Sequence, residues 1–111
     1  MERKKLIAAN WKMNKTIREA ISYTKELKGL VKDIYNWDIV VCPPYTALSA
    51  VSAEIKASNI ALGAQDLYWE KKGAFTGAIS PEMLKEIGIK YVIIGHSERR
   101  RFFNETDLTV N

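Results

Sequence analysis

Short apolar runs alternate with amphipathic stretches along the whole chain. Leu6 to Trp11, Ile39 to Cys42, Ile60 to Ala64 and Tyr91 to Ile94 are near-continuous apolar runs. They are too continuous for strands with one wet face, and they predict parallel strands covered on both faces. Between the first two, Ile17, Ala20, Ile21, Thr24, Leu27 and Val31 recur at helical spacing behind a Thr16-x-x-Glu19 capping box, which predicts a helix from Thr16 to Ile34. Pro43-Pro44 closes the second strand, and Tyr45, Leu48, Val51 and Ile55 predict a second helix ending near Ser58-Asn59. A third helix has Ser80 as N-cap, Pro81 at its first position, Met83, Leu84 and Ile87 on its buried face, and Gly88 just past its end. Thr106 to Asn111 reads as the cap and first turn of one more.

Strand and helix in strict alternation imply βαβ crossovers and a parallel α/β sheet. An open doubly wound sheet and part of a closed barrel both satisfy this periodicity. Length adds a constraint. The 111 residues make one domain, 1–111, with no linker or repeat. An eight-stranded α/β barrel takes about 250 residues, or about 31 per unit, so this chain holds about three and a half units. It reads as truncated before the second half of such a barrel.

Composition narrows the function classes. A hydrophobic fraction of 47% with 27% charged residues is globular rather than disordered. The net charge of +4 suits anionic substrates without requiring nucleic acid. Arg99-Arg100-Arg101 reads as a solvated face with Glu98 and Glu105 as partners, and no aromatic residues interleave with it, so no nucleic-acid partner is expected. Every apolar run falls far short of the roughly 20 residues of a membrane span. The basic start is followed only by Leu6-Ile7-Ala8-Ala9, too short for a signal peptide, and Cys42 has no cysteine to pair with. A cytoplasmic, reducing location is the expectation. One cysteine and one histidine exclude the Cys/His zinc spacings. Gly73-Ala74-Phe75-Thr76-Gly77 lacks the lysine and spacing of a phosphate loop, and no Gly-x-Ser-x-Gly elbow occurs.

Two sets of residues are out of place. Strand alternation puts Ala8, Asn10 and Lys12 on one face, so two polar groups sit where interior is expected. Either Lys12 snorkels out at the strand end while Asn10 satisfies a turn, or a cation stands at the carboxyl end of the first strand, where α/β sheets bind ligands. The fourth strand repeats the pattern, with Val92, Ile94 and His96 on one face. A lone histidine is more often structural than catalytic, but a parallel sheet gathers its strand C-termini on one side and so brings the two anomalies together. Gly95 permits a tight strand exit, and Ser97 or Glu98 can cap a helical turn whose N-terminus favours a neutral imidazole. The long segment from Gln65 to Ile79, with Phe75 among glycines, predicts a loop that packs against another protein.

Ala9-Asn10-Trp11-Lys12-Met13-Asn14, Cys42-Pro43-Pro44, Gly63-Ala64-Gln65, Gly73-Ala74-Phe75-Thr76-Gly77 and Tyr91-Val92-Ile93-Ile94-Gly95-His96-Ser97-Glu98-Arg99-Arg100 occur in this order along the chain. Together they resemble the N-terminal half of the triosephosphate isomerase family. The resemblance implies strands one to four of a (β/α)8 barrel with three intervening helices and the start of a fourth. It also implies an isomerase of glycolysis and gluconeogenesis that interconverts dihydroxyacetone phosphate and glyceraldehyde 3-phosphate through an enediol, without metal or cofactor. Lys12 would meet the substrate phosphate and developing enediolate, Asn10 would orient Lys12 and bind a substrate oxygen, and His96 would polarise the carbonyl as a neutral electrophile. Glu98 would be the charge partner of Lys12; the alternative is a surface carboxylate paired with Arg99 or Arg100. Gln65, Phe75, Thr76 and Gly77 would be contacts of a homodimer. The general base, the lid and the last phosphate-binding loops belong to strands outside this chain, so it is expected to be inactive alone. A non-catalytic half-barrel that self-associates through open strand edges is the alternative.

Overall fold

The computed structural model describes residues 3–111. Four strands, β1 (Lys5–Asn10), β2 (Trp37–Cys42), β3 (Ile60–Ala64) and β4 (Tyr91–Val92), form one sheet in the order β1-β2-β3-β4. All three pairings are parallel, with Ile7 opposite Ile39, Val41 opposite Leu62, and Gly63 opposite Tyr91. Strand order follows chain order without reversal, so the sheet has no switch point of the doubly wound kind. It curls into a half-barrel with helices between its strands.

Local signals set the helices. Thr16 caps α1 (Ile17–Val31) in a capping box with Glu19, each side chain meeting the other's backbone N–H. The helix stops three residues before the predicted Ile34, where Asn59 donates its amide to the carbonyls of Val31 and Ile34. Helix α2 (Tyr45–Glu54) ends sooner than predicted because Ala57 adopts a left-handed φ of 60° that turns the chain out of the helix. Ser80 caps α3 (Pro81–Glu86), but only Leu84 is buried. Met83, expected on the buried face, is exposed because so short a helix turns one side chain inward and Met83 lies a third of a turn away. After β4 come α4 (Ser97–Phe102) and α5 (Asp107–Val110), the latter capped by Thr106.

The core fills the space between the helices and the middle of the sheet. Ile39, Val41, Ile60, Leu62 and Ala64 pack with Trp11, Ala20, Ala47, Leu48, Val51, Ile55 and Leu84. The opposite face is tight at its centre, where a Cβ on Gly63 would lie 2.7 Å from Cys42 Sγ. Its margins are open. Leu6 and Ile7 on β1 are 51% and 55% exposed, and Val92 and Ile94 are 36% and 56% exposed. The expectation of cover on both faces fails at these two strands because each has a neighbour on one side only. For the same reason β4 pairs over two residues instead of the predicted four, Tyr91 to Ile94. The total accessible surface is 8277 Å², against about 6,200 Å² expected for a folded monomer of 12.6 kDa.

Candidate functional site

The strand C-termini converge on one side of the sheet, and the polar residues singled out in the sequence stand there. β1 ends at Asn10, one residue earlier than predicted. Trp11 leaves the strand but stays buried, with its backbone N–H donating to the Cys42 carbonyl at 3.1 Å. Lys12 then takes a left-handed φ of 57°, so the alternation that grouped it with Ala8 and Asn10 does not reach it. A lysine pays steric strain in that region, and the Asn10 side chain supports it by accepting the Lys12 N–H at 2.9 Å. The Lys12 carbonyl accepts from Gln65 Nε2 at 2.9 Å, and the same amide nitrogen reaches the Cys42 carbonyl at 2.8 Å. Gln65 thus ties the ends of β1, β2 and β3 together.

From the other margin, Gly95 turns the chain out of β4 with φ 59°, and a Cβ there would lie 2.8 Å from Val110. His96, rather than Ser97 or Glu98, is the N-cap of α4, and its Nδ1 accepts the Glu98 N–H at 3.0 Å. In the neutral imidazole the proton then sits on Nε2. Glu98 bonds Lys12 Nζ through Oε1 at 2.7 Å, and its Oε2 lies 3.6 Å from His96 Nδ1. That hydrogen bond from Lys12 holds the Glu98 carboxyl below the ordinary carboxylate range, outweighing the opposing effect of burial, and the charge on Lys12 adds to it. Asn10, Lys12, His96 and Glu98 therefore form one cluster, joined across the concave side of the sheet. The pairing of Glu98 with the arginines is not formed.

Those arginines have other partners. Arg99 Nη2 lies 3.1 Å from Asp66 and Arg99 Nε 2.7 Å from Glu105, while Arg100 reaches Asp107. Burial raises the Asp66 carboxyl; Arg99 pulls against this and the like charge of Glu105 adds to it. Tyr45 donates to the Asp66 carbonyl, and burial pushes its hydroxyl up to about 12. A cleft beside the cluster is lined by Tyr45, Asp66, Trp69, Arg99, Glu105 and Val110, and does not include Lys12 or His96. The sequence reading passed over Asp66 and the Arg99 fork. The available signal was a charged residue placed directly after Gln65 at a strand end.

Phe75, Thr76 and Gly77 lie together on the exposed loop between β3 and α3, where Phe75 packs on Tyr68 at 4.6 Å. Gln65 stands apart from them, committed to the strand ends. Among the described residues no group of His, Cys, Asp and Glu is placed to hold a metal ion, and no helix is long and apolar enough to cross a membrane.

The family model for triosephosphate isomerase matches residues 5–111. The chain belongs to the triosephosphate isomerase family. It is 62% identical over 106 residues to the triosephosphate isomerase of Clostridium botulinum (strain Loch Maree / Type A3), covering 96% of this chain and 42% of that protein. The triosephosphate isomerase of Endomicrobium trichonymphae is 59% identical over 109 residues, with 98% and 44% covered. The crystal structure of the Bartonella henselae triosephosphate isomerase superposes with a TM-score of 0.89 at 37% identity, over 96% of this chain and 44% of that one. The chain thus spans less than half the length of the family members it matches, and its sheet is the corresponding part of a (β/α)8 barrel.

Proposed function

We propose that these 111 residues supply the electrostatic part of a triose-phosphate isomerase site, for interconversion of dihydroxyacetone phosphate and glyceraldehyde 3-phosphate through an enediol. The observation that carries this reading is the 2.7 Å bond between Lys12 and Glu98, which unites the ends of β1 and β4 beside His96. Lys12 meets the substrate phosphate and the negative charge that develops on the enediolate oxygen, where a fixed cation stabilises the transition state more than the ground state. The Nε2–H of His96 polarises the carbonyl as a neutral electrophile, a role for which this family is itself the standard example. Asn10 holds the strained Lys12 backbone in place. No carboxylate here is assigned as the base that removes the carbon-bound proton, so the 111 residues bind and polarise without turnover.

The test is titration of the isotope-labelled chain with dihydroxyacetone phosphate. Saturable shifts are expected at residues 10–13 and 95–98, absent in Lys12→Ala, with the same background isomerase rate in both preparations. Shifts elsewhere, or none, overturn the reading. Turnover that Lys12→Ala abolishes would mean that some carboxylate of this chain serves as the base.

The same reading includes a homo-oligomer. It is supported by the surface in excess of the monomer expectation and by the exposed loop carrying Phe75, Thr76 and Gly77. A monomeric mass by light scattering at about tens of micromolar, the range in which exposed edges drive association, would remove this part.

A further inference from the structure

Glu98 lies on a helix that no buried side chain anchors. None of the six residues of α4 is buried, and the strand before it pairs over two residues. Packing therefore cannot fix Glu98 to the roughly 0.5 Å that a preorganised charge pair needs. Among the described residues, two polar side-chain links run from residues 95–111 to the rest of the sheet: Lys12 with Glu98, and Asp66 with Arg99.

The second link shares its backbone with the first. Asp66 follows Gln65, whose amide holds the Lys12 carbonyl, and Arg99 follows Glu98, which holds the Lys12 ammonium. Lys12, Gln65, Asp66, Arg99 and Glu98 thus close a ring of two covalent and three polar steps. The guanidinium also spans two carboxylates, with Nη2 on Asp66 and Nε on Glu105. The planar guanidinium does this with two separate nitrogens in fixed geometry, which the single nitrogen of a lysine ammonium cannot reproduce.

We propose that Asp66 and Arg99 are a positioning pair that sets the distance between Lys12 and Glu98, by locking the end of β4 to the end of β3. Its purpose rests on the reading of Lys12 as the substrate-binding cation, but the geometry is testable without it. Neither residue touches substrate; both act through Glu98.

The experiment is a carbon-13 titration of the Glu98 carboxyl in the intact chain and in Asp66→Asn, an isosteric change. Two effects have opposite signs here. Deleting a nearby negative charge lowers a carboxyl pKa, whereas loosening the bond from Lys12 raises it. The expected result is an upward move of the Glu98 midpoint toward its ordinary value, with the amide spectrum of β1 to β3 retained. An unchanged or lowered midpoint overturns the proposal. Arg99→Lys keeps the charge but not the fork, is expected to give the same upward move, and serves if Asp66→Asn does not fold. Dihydroxyacetone phosphate is titrated into the unsubstituted chain alongside. Absence of binding there removes the substrate reading, while the Glu98 midpoint alone decides the positioning.

Discussion

The middle of the sheet and its two margins are built from the same kinds of residue and lie in opposite environments. Ile39, Val40, Val41 and Cys42 on β2 are all 6% exposed or less, whereas Leu6 and Ile7 on β1 are half exposed. Burial here is a property of neighbours rather than of the strand. β2 and β3 have strands on both sides and α1 and α2 above, whereas β1 and β4 each face solvent along one edge. The candidate site stands mainly on the margins, with Asn10 and Lys12 after β1, His96 and Glu98 after β4, and Gln65 reaching from β3. The core supplies stability, and polar contacts supply the site's geometry. In a flat sheet, three strand spacings would separate β1 from β4 by about 14 Å. Curling brings their ends within reach of one lysine and one glutamate.

The sharpest way to break this contrast is to truncate one side chain in each region. Leu48, 2% exposed between α2 and the sheet, should lose about 2–5 kcal/mol as Leu48→Ala, because a cavity adds to the lost transfer energy. Ile7→Ala, at 55% exposure, should cost well under half as much in the same urea titration. Equal losses would mean that the margin is covered in solution. A smaller effect tests the concave centre. Gly63→Ala places a methyl 2.7 Å from Cys42 Sγ and 3.1 Å from Val40 Cγ1, an overpacking that should cost about 1–3 kcal/mol. Gly63→Ala with Cys42→Ala beside it should recover part of that loss. Next comes Thr16→Ala, which removes the capping box of α1 and should cost about 1 kcal/mol by thermal or urea unfolding.

Features decided within a few residues were legible in the sequence. Thr16 with Glu19, Ser80 before Pro81, and Thr106 before α5 all cap as their spacing predicts, since each contact closes over three positions. The order of strands and helices was legible for the same reason. Exposure at Leu6, Ile7, Val92 and Ile94 was not, because alternation reports which residues prefer cover and not whether cover is supplied. The left-handed turn at Lys12 was also hidden, since nothing in a lysine announces a positive φ. Asn10, Lys12 and His96 were marked as polar groups on apolar strand faces, and Glu98 entered through the family resemblance. Asp66 and Arg99 were not, because a charged residue in a loop and another in an arginine run look solvated until the fold places them 3.1 Å apart.

The smallest expected effect bears most directly on the site. Glu98 is a carboxyl whose folded value lies below its ordinary 4.5, chiefly through the hydrogen bond from Lys12. A depressed carboxyl binds its proton less tightly in the folded chain than in the unfolded one, so its stabilising contribution is fully present above pH 4.5. It is lost as pH falls through the lower folded value. Glu98→Gln keeps the shape and removes the charge, so the stability difference between it and the unsubstituted chain should be constant from neutral pH to about 5 and shrink toward zero below 4.5. The pair is exposed, so the difference should be slight and should fall further with added salt. A difference that instead matched Leu48→Ala would place the margin and the core in one cooperative unit. Its absence at every pH would mean that the bond between Lys12 and Glu98 places charge without adding stability, as exposed ion pairs commonly do.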